Sequence, residues 1–291
     1  MVAGGSHVLA YDVGGSHISA SVCSEANYSL GPVVKAPLPV EQSAEAFFDV
    51  LVQLAGKAGA EATTAGAAFA MPGPFDYAEG ISWMKHKMAY LYGVNLRDAL
   101  AQRMGWNGMQ VRFLNDAAAY LLGEVGAGAA HGVERVAGFT LGTGIGSGFA
   151  VNGRIVTEGA GVPPGGEIWN VPFEGGIVED LVSTRFIKKA YRERSGTEKE
   201  VAEIAAEATH DPAAPEAFAQ FGRNLGRIIR ILLHDFRPQV VVLGGGIARS
   251  YQLFVPAVQD ELSGIALEVR VAQLGDRAPL VGAALAWFAK G

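Results

Sequence analysis

Cysteine is almost absent: Cys23 stands alone among 291 residues. One thiol closes no disulfide within the chain and builds no multi-cysteine metal site. Its neighbours Ser19 to Val22 read as a strand, so Cys23 is expected to be a plain buried residue. Long apolar runs are missing too. No stretch of about 18 uncharged apolar residues is available to cross a bilayer. The start of the chain lacks the basic segment and apolar run of a signal peptide. These absences predict no membrane partner and a cytoplasmic location. No Lys/Arg cluster is expected, and 23 basic against 29 acidic residues leave a net charge of -6. Charge therefore gives no support to a nucleic-acid partner. The six histidines include no pair at zinc-ligand spacing, so each is expected at the surface or in packing.

What is abundant is apolar side chain and glycine. Apolar residues make up 49% and charged residues 18%, enough to build a sizeable core. The 39 glycines and 13 prolines fall at the ends of apolar runs, where turns belong. Residues 7–13 and 18–23 read as strands joined by a Gly-rich turn. A hairpin of this kind argues against a dinucleotide fingerprint, whose Gly-x-Gly-x-x-Gly spacing is also missing. Helices are predicted over 43–60, 96–104, 117–125, 178–194, 215–236, 254–262 and 280–288. Strands are predicted over 64–71, 111–114, 135–140, 147–151, 239–243 and 267–272. The second half repeats the grammar of the first, which predicts two α/β domains with a cleft between them. Trp83, Trp106 and Trp287 are expected as core or cleft walls.

Three segments carry chemistry. Asp12-Val13-Gly14-Gly15-Ser16 ends the first strand. Gly14 and Gly15 allow a phosphate to approach the backbone, Ser16 offers a donor, and Asp12 either serves Mg²⁺ through water or stabilises a hairpin turn. Leu141 to Gly148 places four glycines at alternate positions around Thr143. Glycine costs backbone entropy, so this spacing points to a turn that cradles phosphate, although the P-loop lysine is missing. Between the two lies Asn115-Asp116, at a strand end and a helix start. Asp116 is placed to take a proton from a hydroxyl, and either residue is also a good N-cap. Together these segments read as phosphate handling plus a base for phosphoryl transfer. Gly244-Gly245-Gly246 follows a buried strand and suits a ligand close to the backbone or a helix-starting turn. Glu167 and Glu179 lie in a glycine-marked polar region and are able to accept hydrogen bonds from neutral hydroxyls. Asp180 fits a first-turn helix carboxylate better.

Seven pieces in order resemble the ROK family of bacterial sugar kinases and repressors. They are Asp12 to Ser16, Met71 to Asp76, Phe113 to Ala117, Leu141 to Gly146, Gly165 to Ile168, Gly176 to Glu179, and Val242 to Gly246. The resemblance implies an α/β, two-lobed, actin-like or hexokinase-like ATPase fold with a central cleft. Residues 1–115 would form an N-terminal lobe on the sugar side. Residues 116–275 would form a C-terminal lobe that binds ATP and contributes sugar contacts. Residues 276–291 would be a helix packing back on the first lobe. It implies ATP- and Mg²⁺-dependent transfer to a hexose hydroxyl, usually the 6-hydroxyl. Asp116 would be the catalytic base, with Asn115, Glu167, Asn170 and Glu179 as further sugar contacts. Gly14, Gly15, Ser16, Gly142, Thr143 and Gly144 would meet ATP phosphates, Gly245 and Gly246 the adenosine end, and Asp12 the Mg²⁺ through water. A homodimer is expected, since relatives often form one.

The chain departs from that family in three places. Trp169-Asn170 stands where relatives usually carry Gly-His. The cysteine cluster that holds a structural zinc is missing, and Ile177 occupies one of its usual places, so no zinc is expected. Packing by Val171, Phe173 and Ile177 is expected to fix that loop instead. Finally, Lys85, His86, Lys87 and Tyr90 occupy a sugar-side segment where relatives usually carry asparagine and tryptophan. Glucose is the default substrate. The alternatives are a fructokinase, a kinase for N-acetylmannosamine or another amino sugar, and a non-catalytic sugar-binding protein. A sugar-responsive repressor would need a helix-turn-helix ahead of the first strand, where only about six residues stand.

Overall fold

The computed structural model describes residues 6–39, 42–61, 64–106 and 108–289. The chain divides into two units, Met1–Gly128 with Asp276–Gly291, and Ala129–Gly275. In the first unit, β1 (His7–Val13), β2 (His17–Ser24) and β3 (Val34–Pro37) form an antiparallel meander. Helix α1 (Ala44–Lys57) then leads to β4 (Ala67–Met71), which lies parallel to β1. The short strands β5 (Phe75–Asp76) and β6 (Ile81–Ser82), helix α2 (Leu96–Met104) and β7 (Val111–Asn115) follow. The sheet order is β3-β2-β1-β4-β7.

The two-residue period of β1 explains why it reads as one continuous apolar run. Leu9, Tyr11 and Val13 pack into a core with Phe47, Leu51 and Leu54 of α1. Val8 and Ala10, on the opposite face, pack against Leu280, Ala283 and Ala284 of the C-terminal helix Ala278–Phe288. A strand covered on both faces has no polar side to show. Helix α3 (Asp116–Ala127) crosses the C-terminal helix at close range. A methyl at Gly282 would overlap the carbonyl of Ala119, and one at Gly123 the carbonyl of Ala278. This crossing is why α3 sorts with the first unit and the division falls after Gly128.

The second unit repeats the topology. Strands β8 (Arg135–Leu141), β9 (Ile145–Val151) and β10 (Arg154–Ile155) form the meander, and a ribbon of β11 (Pro172–Phe173) and β12 (Gly176–Ile177) follows. Asn152 and Gly153 both adopt positive φ, of 50° and 75°, as the hairpin signal predicts. Then come α4 (Val178–Leu181), α5 (Thr184–Ser195), α6 (Val201–Ala206) and α7 (Ala213–Leu232). Strand β13 (Val240–Gly244), helix α8 (Tyr251–Glu261) and β14 (Glu268–Val271) complete the sheet, in the order β10-β9-β8-β13-β14. Phe139, Phe149 and Leu243 of the sheet share a core with Phe218, Phe221 and Leu225 of α7.

The single helix predicted over 178–194 is two helices. Ser183 adopts an extended conformation and its hydroxyl accepts from the Phe186 N–H, starting a new helix where apolar periodicity ran straight through. Strand β3, helix α6 and the two-residue strands β5, β6, β10, β11 and β12 are not among the elements that the sequence predicts. Strand β3 has only four residues and alternates half-buried with exposed, and α6 has one buried side chain, Ile204. Neither leaves a strong periodic trace. Among the described residues, no helix is long and apolar enough to cross a membrane.

Candidate functional site

In the first unit the two acidic candidates come from the ends of two strands of one sheet, with β4 between them. Asp12 lies near the end of β1 and Asp116 opens α3 directly after β7. Strand β4 links them in register, pairing Ala70 with Asp12 and Met71 with Asn115. Asp12 is held well above the ordinary carboxylate range, at about 7, first by burial, then by the charges of Asp116 and Asp276. Lys35 acts in the opposite direction, but its ammonium is shared with Asp276 at 3.2 Å. The Asp12 side chain still keeps part of its surface open to solvent. A desolvated carboxylate beside a second one, with a weakly engaged counter-charge, suits a hydrated divalent cation. Among the described residues no group of three or more His, Cys, Asp or Glu is placed to hold a metal ion.

Asn115 is the N-cap of α3. Its side-chain oxygen accepts from the N–H groups of Ala117 at 3.0 Å and Ala118 at 3.1 Å. Its Nδ2 donates to the Tyr77 hydroxyl at 3.2 Å, and that hydroxyl donates to the Met71 carbonyl at 3.2 Å. Capping and a fixed amide are therefore the same arrangement, and Tyr77 is a supporting residue that no sequence motif revealed. Asp116 accepts from the Ala117 N–H at 2.8 Å, which holds its carboxylate at the positive end of α3. Gly14, Gly15 and Ser16 form the β1–β2 turn, closed by the Gly14 N–H donating to the His17 carbonyl at 3.0 Å. Nothing stands within 4 Å of the position a side chain would take at Gly15.

In the second unit Gly142, Thr143 and Gly144 form the β8–β9 turn. The Gly142 carbonyl accepts from both the Thr184 hydroxyl at 2.9 Å and the Thr184 N–H at 2.8 Å, tying the start of α5 to this turn. The Glu179 carboxylate lies against Gly144, in the space that a Cβ there would take. Glu167 is held on both sides by Ser147, whose hydroxyl donates to the Gly166 carbonyl at 2.6 Å and accepts from the Ile168 N–H at 3.0 Å. The indole N–H of Trp169 donates to the Glu167 carboxylate at 2.9 Å. Asn170 is exposed. Asp180 takes the helix-start role, accepting from the Ile177 N–H at 3.1 Å.

The Gly245 and Gly246 positions separate cleanly. Gly245 adopts φ +83° and its missing side chain makes room for the Leu141 backbone, so packing requires it. Beside Gly246 there is open space. Phe173 is buried in the core with Val171 packed against it, while Ile177 contributes by backbone pairing with Pro172.

Trp83 is not a core residue: it is 44% exposed and meets Tyr92 edge-on, with Lys85 over the Tyr92 ring. One expectation is corrected. Basic residues do cluster, on α5. Arg185, Lys188, Lys189 and Arg192 line a cavity of about 510 Å³ together with Thr143, Thr184 and Glu198. The spacing i, i+3, i+4, i+7 gathers them on one helical face although no run of basic residues stands out in the sequence. Lys188 pairs with Glu200 at 2.6 Å and Arg185 with Asp180 at 3.2 Å, which moderates the charge.

The chain matches the ROK family over residues 8–290. It is 29% identical over 286 residues to a glucokinase of Thermotoga maritima, covering 88% of this chain and 86% of that one. It is 27% identical over 194 residues to an N-acetylgalactosamine kinase of a Shewanella species, covering 59% and 63%. A ROK hexokinase from Thermus thermophilus superposes with a TM-score of 0.81 at 29% identity, covering 96% of this chain and 97% of that one. The repeated meander-plus-parallel sheet is thus the α/β fold of the actin-like and hexokinase-like ATPases. With its strand-end turns, its Asn115-Asp116 pair and no zinc-binding cysteine cluster, the chain belongs to the ROK family.

Proposed function

We propose that the chain is an ATP-dependent hexose 6-phosphotransferase with Asp116 as general base and glucose as preferred acceptor. The observation that carries this reading is the acid pair of the first unit: Asp116 stands at a helix start close enough to a buried Asp12 to raise its proton affinity. Asp116 takes the proton as the sugar hydroxyl oxygen attacks the γ-phosphorus. The bond from that phosphorus to the β-bridging oxygen breaks, and ADP leaves. Asp12 would hold hydrated Mg²⁺, whose chemistry is to neutralise charge on the transferring group. Gly14, Gly15 and Ser16 in one turn, and Gly142, Thr143 and Gly144 in the other, would donate N–H groups to phosphate oxygens. The α5 cations beside Thr143 add positive charge for the polyphosphate, and Gly245 and Gly246 would take the adenosine end. Asn115, Glu167, Asn170 and Glu179 would contact sugar hydroxyls.

A coupled assay with ATP, Mg²⁺ and a panel of glucose, fructose, mannose, allose, glucosamine, N-acetylglucosamine and N-acetylmannosamine tests this. We expect the highest kcat/KM on glucose. A preference of about tenfold for another sugar, worth about 1.4 kcal/mol in the transition state, would change the substrate and leave the mechanism standing. The departure at Trp169-Asn170 makes a fructokinase or an amino-sugar kinase the second reading. Tight sugar binding with no turnover of any member would favour a sugar-binding protein instead.

A further inference from the structure

We infer that Trp169 is a positioning residue that tunes sugar recognition in the second unit by fixing the Glu167 carboxylate beside the Glu179 segment; the inference rests on the sugar-binding roles proposed above. Two hydrogen bonds of Trp169 reach both acids. Its indole N–H donates to Glu167 Oε2 at 2.9 Å, and its carbonyl accepts from the Glu179 N–H at 3.0 Å. Among the described residues, the indole is the side-chain partner of the Glu167 carboxylate. The ring itself is 41% exposed, so it does not sit there to fill the core.

The chemistry of the indole suits this task. It is a donor only, so it binds one carboxylate oxygen and does not compete for the hydroxyl protons of a ligand. The other oxygen of Glu167 then has a fixed direction in which to accept. A glutamate side chain on a loop otherwise samples many rotamers and would lose that freedom only on binding. Ser147 fixes the backbone on either side of Glu167, and the Glu179 carboxylate lies against Gly144. The bond to Glu179 is made by the Trp169 backbone, so what the indole adds is a fixed Glu167 carboxylate at a set distance from that segment. A polyhydroxylated ring whose hydroxyls match that spacing is selected, and one with a displaced hydroxyl leaves an acid unpaired.

The test is a double-mutant cycle in the full chain, using Trp169→Phe, Glu167→Ala and the pair, with the preferred hexose of the panel. Trp169→Phe keeps a ring and removes the N–H. We expect it to raise the KM for the hexose about tenfold while kcat and the KM for ATP stay within about twofold, the signature of lost uniform binding. In the Glu167→Ala background the same change should alter the hexose KM by less than about twofold, because the group it acts through is gone. An unchanged KM in the single variant, or equal effects in both backgrounds, would overturn the inference. If the unsubstituted protein turns over no hexose, the kinase reading fails. The cycle is then read in hexose dissociation constants by calorimetry, with the same non-additivity required.

Discussion

Replacing Asp12 by asparagine should make the protein more stable and less active. In the folded chain Asp12 is pushed from its ordinary value of 3.8 to about 7, with burial the largest cause and the charges of Asp116 and Asp276 next. Between those two values the unfolded chain has lost this proton and the folded chain has kept it. Stability contributed by the group therefore falls as pH rises from about 4 to about 7, and the cost stays constant above that. Taken whole, the difference corresponds to about 4 kcal/mol. The side chain keeps part of its surface in water, so screening reduces the expected gain to about 2 kcal/mol. For a folding unit of this size that is a rise in Tm of about 4–8 °C at pH 8. The amide is nearly isosteric and carries no charge, so the gain should shrink by more than half at pH 5, where the wild-type carboxyl is already protonated. Thermal melts of both proteins at the two pH values, without Mg²⁺ or nucleotide, read this directly. A variant no more stable at pH 8, or one whose gain is undiminished at pH 5, would refute the reasoning.

Four further outcomes are expected. Asp116→Ala should lower kcat by about 10²–10⁴-fold with the circular dichroism spectrum retained, and near-wild-type turnover would remove Asp116 from the role of base. Gly282→Ala should destabilise the first unit by about 1–3 kcal/mol or more, since its methyl meets the Ala119 carbonyl; an unchanged urea midpoint would mean that the helices separate freely. Elemental analysis of protein purified without added metal should find no stoichiometric zinc, and zinc surviving dialysis would show that other ligands take the place of the missing cysteines. Light scattering should give twice the chain mass; a mass near 30.4 kDa at all working concentrations would exclude the dimer.

Several features could be read directly from the linear chain because they rest on local rules. The Asn152-Gly153 hairpin needs only two residues able to adopt positive φ. The continuous apolar runs of β1 and β13 follow from burial on both sheet faces. Asn115 caps α3 through its immediate neighbours. The two Gly-rich turns stand at strand ends, where the sequence placed them.

The remainder depended on residues distant in the chain. Gly245 and Gly246 are adjacent and identical, yet one is required by the Leu141 backbone and the other faces open space. Gly144 lies against the Glu179 carboxylate, and Gly123 and Gly282 are required by a crossing of two helices far apart in sequence. The basic face of α5 emerges only when the helix starts at Ser183 and its turns bring Arg185, Lys188, Lys189 and Arg192 together beside Thr143. Trp169 stands as a departure from the family pattern in the sequence, and only the folded chain brings its indole to Glu167. Propensity, periodicity and turn chemistry act over a few residues, so the sequence by itself determined the elements and the order of the motifs. Close approach, desolvation and side-chain pairing are set by neighbours in space. Which glycine is structural, which carboxylate holds its proton and which acid is pinned were decided by the tertiary structure alone.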